Sequence, residues 1–403
     1  MLNRKNTKIY PVEGIKLSSV YSEMYPKRRY DLSLVKICDG SVISGVFTKN
    51  KAKAAPVIVS EKHIKYKNPK YLIINAGNAN AGTGSEGIND IKAYCKILSD
   101  ETSCSFKDIL VFSTGVIGQR IKVNNIKKSI PKLIKKMKEN NWDSFSKSIL
   151  TTDTCSKILS EKFKIGDEII TITGVAKGSG MIMPNMATML SFVATNIKIS
   201  KKELDKMLKK ITDKSYNMIT VDSDTSTNDS SILISSCKTK TSYEKLSVKD
   251  KKKFYLHMES VYVNLAKKII KDAEGATKFI SINIKKIKNK EYGKNIGMTI
   301  ANSPLVKTAL FAEDPNWGRI LSAIGNSKIE KKDINKLEIY LGKYLIFKNN
   351  ILNKKYKEKS AIKYLKEKNI EINIVLNNGK EEVTVWTSDL TYKYIKINAE
   401  YRS

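Results

Sequence analysis

The chain has 403 residues and a mass of 45.4 kDa, enough to bury ample core and to form two or three domains. Its formal net charge is +33, yet only six of its 73 basic residues are arginine, the residue on which base recognition relies, so the lysine excess argues against a specific nucleic-acid partner. No stretch reaches the roughly 20 apolar residues of a membrane span, and the first residues lack a secretory signal, so we expect a cytoplasmic protein.

Strand and helix patterns are mixed along the chain, without internal repeats. The predicted strands occupy residues 71–75, 109–112, 168–173, 191–195, 231–235 and 279–284. The predicted helices occupy residues 88–98, 131–139, 202–211, 260–273 and 361–367. Lysine runs at 127–138, 201–214 and 354–368 alternate with apolar residues at helical spacing, which is typical of amphipathic surface helices. Asn378-Gly379, between residues 371–376 and 382–386, predicts a closing β-hairpin. Together these elements predict the α+β class.

The sequence gives no clear signal for a metal or a nucleotide. The five cysteines are scattered without a CxxC pair, and the two histidines lack ligand spacing. Residues 222–229 read DSDTSTND but lack the glycine and glutamate of a calcium loop, so we interpret them as a polar turn that supports the functional site. Residues 82–87 fit G-x-G-x-x-G but lie too far beyond their strand for a dinucleotide site. We therefore expect neither a metal nor a prosthetic group.

The most informative segment is Pro184-Asn185-Met186-Ala187-Thr188-Met189-Leu190, which follows Lys177-Gly178-Ser179-Gly180. A threonine hydroxyl needs a nearby base before it can attack an acyl carbon. If the Ala187–Thr188 bond is cut, the new α-amine titrates at about 7.7 to 8.0 and can serve as that base. On its own, Thr188 is better explained as a β-branched residue that starts strand 190–194. The surrounding motifs reverse that preference.

Residues 177–190 resemble the ornithine acetyltransferase family, also called bifunctional glutamate N-acetyltransferases, whose members cut themselves before a threonine. Further matching motifs, in chain order, are GVFT (45–48), AAPV (54–57), NAGNAN (75–80), STGVIG (113–118), TTDT (151–154), DSDTSTND (222–229), EGATK (274–278), SPLVKT (303–308), DPNWGR (314–319) and NAEYRS (398–403). The motifs cover nearly the whole chain, and so many ordered matches are far more specific than any one of them.

The resemblance implies an interleaved two-domain αββα-type acyltransferase fold, cut into residues 1–187 and 188–403. Two copies of each chain are expected to form a heterotetramer. The implied reaction, in the cyclic arginine pathway, moves acetyl from N2-acetyl-L-ornithine to L-glutamate through an acetyl-Thr188 intermediate. The sequence leaves open whether acetyl-CoA is also a donor.

The resemblance also assigns roles to individual residues. Thr114 and Gly115 stabilise the oxyanion, since a hydroxyl and an unobstructed backbone N–H are suitable donors. The implied substrate-binding residues are Thr154, Lys177, Thr188, Glu274, Asn398 and Ser403. Lys177 and Glu274 suit a substrate with a carboxylate and a side-chain ammonium. Two departures from the family, Cys155-Ser156 after Thr154 and a terminal Ser403 in place of threonine, affect the expected ligand geometry.

Two other functions remain open on the sequence alone. The first is an N-terminal-nucleophile aminopeptidase or amidase of similar fold, which would use water rather than glutamate as the acyl acceptor. The second is a basic nucleic-acid-binding protein without chemistry, which would stay uncut and bind polyanions in a salt-sensitive way.

Overall fold

The computed structural model describes residues 8–25, 28–66, 69–183 and 189–400. The chain divides into two compact units. The first consists of Met1–Gly178, Pro184–Asn217 and Thr225–Ile269, and the second of Ser179–Met183, Met218–Asp224 and Ile270–Ser403. Two short segments therefore belong to the second unit although the chain on either side of each belongs to the first. Helices and strands are mixed in both units, which confirms the α+β class.

The elements of the first unit are, in order, β1 (Ile15–Val20), β2 (Leu32–Ile37), β3 (Val42–Phe47), α1 (Ala55–His63), β4 (Tyr71–Asn78), α2 (Gly84–Thr102), β5 (Ile109–Val116), α3 (Val123–Lys135), α4 (Trp142–Ser148), β6 (Lys157–Ile165), β7 (Glu168–Lys177), β8 (Leu190–Thr195), α5 (Lys201–Lys214), β9 (Ser230–Ser235) and α6 (Val248–Lys271). They form a four-stranded sheet in the order β1-β2-β4-β5 and a five-stranded sheet in the order β3-β9-β8-β7-β6.

The two sheets of the first unit pack face to face between helices. In β4, Leu72 and Ile74 point into the core that the sheets share, whereas Ile73 points to the core under α2 and α3. Phe112 of the four-stranded sheet packs edge-on against Phe192 of the five-stranded sheet, with ring centroids 5.0 Å apart. Helices α5 and α6 cover the outer face of the five-stranded sheet. The resulting layers are helix, sheet, sheet and helix, in agreement with the expected αββα arrangement.

The second unit contains β10 (Phe279–Ile287), α7 (Lys290–Ala301), α8 (Pro304–Phe311), α9 (Trp317–Gly325), α10 (Lys331–Ile334), β11 (Glu338–Leu341), β12 (Tyr344–Lys348), β13 (Ile351–Leu352), α11 (Glu358–Leu365), β14 (Asn369–Val375), β15 (Glu381–Ser388) and α12 (Tyr392–Ala399). Its six-stranded sheet has the order β13-β12-β11-β14-β10-β15. Ile280, Ile282 and Ile284 of β10 alternate with polar residues and join a core with the helices α7 to α9.

The predicted β-hairpin at the end of the chain is wrong. β14 and β15 do not pair with each other, because β10 lies between them, parallel to β14 and antiparallel to β15. The connecting loop crosses the end of β10, where the backbone N–H groups of Asn378 and Gly379 donate to the carbonyl of Lys286. The Asn-Gly signal marks a real turn. A hairpin would place β15 directly beside β14, but β10, which is distant in sequence, occupies that position.

The remaining element predictions are confirmed except at one helix. Each of the six predicted strands lies inside an observed strand, and the helices predicted at 88–98, 202–211, 260–273 and 361–367 overlap α2, α5, α6 and α11. Helix α3 begins at Val123, eight residues before the predicted start, and Pro131 lies in its interior. The apolar spacing of Ile126, Ile130 and Leu133 sets this helix, and it outweighs the preference of proline for the first turn. The predicted boundary between residues 187 and 188 lies outside the described residues.

Candidate active site

Thr114 and Gly115, the predicted oxyanion donors, lie in β5 where its parallel pairing with β4 becomes irregular. Gly115 has a φ of +137°, and a Cβ at this position would lie 2.2 Å from the carbonyl carbon of Gly77. Only glycine allows the two backbones to approach this closely. The Ser113 hydroxyl donates to Asn75 Oδ1 at 2.6 Å and so fixes the preceding residue of the turn. The role of Thr114 and Gly115 as donors to an oxyanion stays a prediction.

Lys177 contacts two threonine hydroxyls at the end of β7. Its Nζ lies 3.0 Å from Thr114 Oγ1 and 2.8 Å from Thr151 Oγ1. An ammonium can only donate, so both hydroxyl oxygens accept, and the hydroxyl protons remain available to other acceptors. The structure thus brings together two predicted site residues, Thr114 and Lys177, that are 63 positions apart.

The buried carboxylate of Asp153 compensates part of the positive charge of Lys157 and Lys177. Asp153 Oδ1 lies 2.5 Å from the Nζ of Lys157, and both side chains are fully buried. The same oxygen accepts the backbone N–H of Gly178 at 2.7 Å, and Oδ2 accepts that of Thr151 at 3.1 Å. Burial alone would raise the pKa of Asp153, but the charges of Lys157 and Lys177 and these hydrogen bonds hold it well below its ordinary value. The carboxylate is therefore ionised at neutral pH.

Asp153 is a residue that sequence reasoning missed, although it stands inside the TTDT motif. Its neighbour Thr154, a predicted substrate ligand, is exposed in the loop between α4 and β6. A lone acid among hydroxyl residues, in a chain with 73 basic residues, was the available signal. Its partners could not be read from the sequence.

Three predicted residues, Ala187, Thr188 and Ser403, lie outside the described part of the chain. On the carboxyl side of the predicted cut, Leu190 begins β8 and pairs with Lys177 of β7. Every residue of β8 is buried. The predicted strand after Thr188 is therefore confirmed, and the role of Thr188 itself stays a prediction.

In the second unit, two of the predicted substrate-binding residues, Glu274 and Asn398, contact each other. Glu274 is only 8% exposed, and its Oε2 accepts a hydrogen bond of 3.0 Å from Asn398 Nδ2. The backbone N–H of Glu274 donates to the carbonyl of Ser179 at 3.0 Å. A Cβ on Gly180 would lie 2.3 Å from Glu274 Oε2, so the glycine makes room for the carboxylate. Residues 178–183, the glycine-rich segment before the predicted cut, are called the approach below. At Ser179 and Gly180 the approach thus lies directly against a predicted substrate ligand.

Asp222, the first residue of the DSDTSTND motif that the sequence analysis interpreted as a polar turn, contacts the same segment. Its Oδ2 accepts the backbone N–H of Met181 at 2.7 Å, and its Oδ1 accepts that of Ile182 at 2.8 Å. The hydroxyl of Tyr394, on α12, donates to Oδ2 at 3.1 Å. Burial raises the pKa of Tyr394, and the neighbouring Asp222 raises it further, so this hydroxyl remains a donor at neutral pH.

Lys307, in the SPLVKT motif, is a buried cation of the second unit. Its Nζ donates to Thr387 Oγ1 at 2.9 Å and to the carbonyl of Ser388. Desolvation lowers the pKa of Lys307 to about 8, although Asp389 and Asp222 act in the opposite direction. These contacts join α8 to the end of β15, so the motif has a structural role that the resemblance did not assign.

Comparison with known proteins identifies the family. The ArgJ family model matches residues 16–403. The chain belongs to the ArgJ family. An arginine biosynthesis bifunctional protein ArgJ of Colwellia psychrerythraea is 42% identical over 98% of this chain and 97% of its own length. That of Methylococcus capsulatus is 37% identical over 100% of this chain and 98% of its own length. The crystal structure of the Bacillus halodurans ArgJ protein is 37% identical and covers 53% of this chain and 100% of its own, with a TM-score of 0.49.

Membership of the ArgJ family confirms the resemblance drawn from the motifs. It also confirms that the protein is an acetyltransferase of arginine biosynthesis that acts on small molecules. The alternative of a nucleic-acid-binding protein without chemistry is thereby excluded. No disulfide links the five cysteines, all of which lie within the described residues. Within the described ranges, no helix has the length and apolar character to cross a membrane.

Proposed function

We propose that this protein transfers an acetyl group from N2-acetyl-L-ornithine to L-glutamate, giving L-ornithine and N-acetylglutamate. The transfer passes through an acetyl ester on Thr188. The observation that carries the proposal is the family match over residues 16–403. It is supported by the contact of Lys177 with Thr114 and by the contact of Asn398 with Glu274. Each contact joins two residues that the resemblance had selected independently of any structure.

Maturation comes first and needs only the chain itself. The Thr188 hydroxyl attacks the Ala187 carbonyl, the peptide C–N bond breaks, and an ester forms while the nitrogen becomes the free α-amine of Thr188. Water then opens the ester, which leaves a carboxylate on Ala187 and restores the hydroxyl. The products are chains of 187 and 216 residues.

Acetyl transfer then takes two half-reactions. The α-amine of Thr188 accepts the hydroxyl proton, the oxygen attacks the acetyl carbonyl, and ornithine leaves with the proton on its α-amine. The glutamate α-amine attacks the resulting ester, and N-acetylglutamate leaves as the Thr188 hydroxyl is restored. Thr114 and Gly115 donate to the oxyanion in both half-reactions, where a preorganised donor contributes about 3 to 4 kcal/mol. No prosthetic group enters either step.

The charged residues recognise the ends of the substrate. Lys177 binds a substrate carboxylate; its charge is already balanced in part by Asp153, so it does not repel the substrate's own ammonium strongly. Glu274 binds the side-chain ammonium of ornithine, and Asn398 orients the Glu274 carboxylate. Thr154 and Ser403 supply hydroxyl contacts. The working assembly is a heterotetramer of two chains of each kind in the cytoplasm.

Mass spectrometry tests maturation directly. The purified wild-type protein should give two chains, the second starting at Thr188, and Thr188→Ala should stay in one piece. The control is Thr195→Ala, a threonine at the other end of β8, which should be cut normally. A wild-type chain that stays whole after complete folding would overturn the mechanism.

The acetyl-enzyme is tested by separating the half-reactions. Mature protein given acetylornithine without glutamate should gain one acetyl group on the 216-residue chain and release about one equivalent of ornithine per site. Added glutamate should remove the label, and double-reciprocal plots should be parallel. Intersecting lines without a labelled chain would mean direct transfer, and loss of the label to water alone would favour the aminopeptidase alternative. The relatives' bifunctional name is the reason to offer acetyl-CoA as a second donor.

A further inference from the structure

Residues 179–183, the last described residues before the predicted cut, are fastened to the rest of the second unit along their length. Ser179 accepts the N–H of Glu274, and Ile182 accepts that of Val221 at 2.6 Å. Met183 Sδ accepts from Asn302 Nδ2 at 3.2 Å. In the middle of the segment, the N–H groups of Met181 and Ile182 both donate to the same side chain, that of Asp222. Asp222 is therefore the central anchor of the approach.

The backbone at this anchor is in an unfavourable conformation. Met181 has a φ of +53°, in the left-handed region that residues with a Cβ rarely adopt. Met181 is 41% exposed, so the surrounding protein covers it only in part. The two hydrogen bonds from the Met181 and Ile182 N–H groups to Asp222 act directly on this backbone and help to offset the strain. Strain of this sort persists only where surrounding contacts determine it.

We propose that Asp222 is a positioning residue for self-cleavage, which holds residues 181 and 182, upstream of the Ala187–Thr188 bond, in their strained backbone conformation. The inference rests on the proposed maturation. Asp222 touches no reacting atom in this account. It acts through the backbone that leads to the scissile bond.

Tyr394 connects this anchor to the last helix of the chain. Its hydroxyl donates to the Asp222 oxygen that also accepts from Met181. The same helix, α12, carries Asn398, which contacts Glu274. In addition, the backbone N–H of Tyr394 donates to Thr391 Oγ1, which itself donates to the carbonyl of Gly275. Helix α12 therefore contributes to the anchor through the Tyr394 hydroxyl.

The test measures the rate of self-cleavage in full-length chains, by intact mass at timed intervals after refolding. Asp222→Asn keeps the shape of the side chain but replaces one acceptor oxygen with a donor, so cleavage should slow about tenfold or more. Tyr394→Phe should slow it less, since both backbone bonds remain. The matched control is Asp224→Asn, an exposed acid two residues away that loses the same charge and should be cut at the wild-type rate.

A second variant separates positioning from general damage. Glycine adopts a positive φ without strain, so Met181→Gly should restore much of the cleavage rate when combined with Asp222→Asn. A purely structural defect would not respond to a glycine that removes side-chain contacts. A double variant as slow as Asp222→Asn, or an Asp222→Asn chain cut at the wild-type rate, would overturn the proposal. Failure of the wild-type chain to be cut would instead refute the proposed maturation.

Discussion

Replacing Asp153 by asparagine tests the central electrostatic contact of the first unit. The wild-type carboxylate lies 2.5 Å from the Lys157 ammonium, and both side chains are fully buried. Asp153→Asn leaves that ammonium buried without this carboxylate, while the weaker contact with the Cys155 carbonyl at 3.4 Å remains. Breaking one side of a buried ion pair costs about 3 to 5 kcal/mol. At roughly 2 to 4 °C per kcal/mol for a unit of this size, the melting temperature should fall by about 10 °C.

The pH dependence of this loss follows from the direction of the pKa shift. The pKa of Asp153 is held well below its ordinary value by Lys157 and Lys177 against the effect of burial. A carboxyl group with a depressed folded-state pKa contributes stability that is fully present above its unfolded pKa of about 3.9. The difference between wild type and variant should therefore be constant from about pH 5 to 8. It should shrink only as the pH falls below about 4.

Urea unfolding on a Thr188→Ala background measures the effect, because every variant then remains a single chain. The matched control is Asp143→Asn, which removes an exposed pair with Lys147 at the same i,i+4 spacing and should cost less than about 0.5 kcal/mol. Adding Lys157→Met to Asp153→Asn removes the ammonium that has lost its partner carboxylate and should recover part of the loss. A loss below about 1 kcal/mol for Asp153→Asn would refute the argument that this pair is desolvated and required.

Two further changes concern the second unit. Glu274→Gln should raise the KM for acetylornithine at least about tenfold. Self-cleavage should continue in this variant, because no substrate is present during maturation. Unchanged steady-state kinetics would remove Glu274 from the site. Lys307 has a pKa of about 8 when folded, against an ordinary value of 10.5, so the native state binds the proton less tightly than the unfolded chain. The free energy of unfolding should therefore rise between about pH 8 and 10.5, by about 1.4 kcal/mol per pKa unit. In Lys307→Met this rise should be lost. A rise of equal size in the variant would contradict the assignment of the rise to Lys307.

Local patterns predicted the strands well because burial repeats along them. In β4 and β5, alternate residues face the core between the sheets and the core under the helices, so both faces are apolar and the strands appear as short apolar runs. The closing hairpin failed for the opposite reason. Its turn signal is local, whereas the position of β10 between β14 and β15 depends on pairing across about 90 residues of sequence, which no periodicity reports.

The candidate site divides in the same way. Residues that carry chemistry, such as Lys177 and Glu274, could be selected by motif, because their types and order are specific. The two acids that hold the approach could not be selected, because their contacts are long-range. Asp153 reaches Gly178 across 25 positions, and Asp222 reaches Met181 across 41.

A common physical requirement explains why both acids contact this one segment. The glycines at positions 178 and 180 make the approach costly to order, because glycine loses more conformational freedom on folding than any other residue. Met181, at φ +53°, also adopts a conformation that residues with a Cβ do not favour. A carboxylate that accepts backbone N–H groups offsets the cost of ordering the approach without adding a side chain to this crowded segment. Asp153 accepts the N–H of Gly178, and Asp222 accepts the N–H of Met181. Glycine permits the approach to pass close to Glu274, and the acids give it one conformation. Replacing either acid should therefore slow self-cleavage even where the motif itself is untouched.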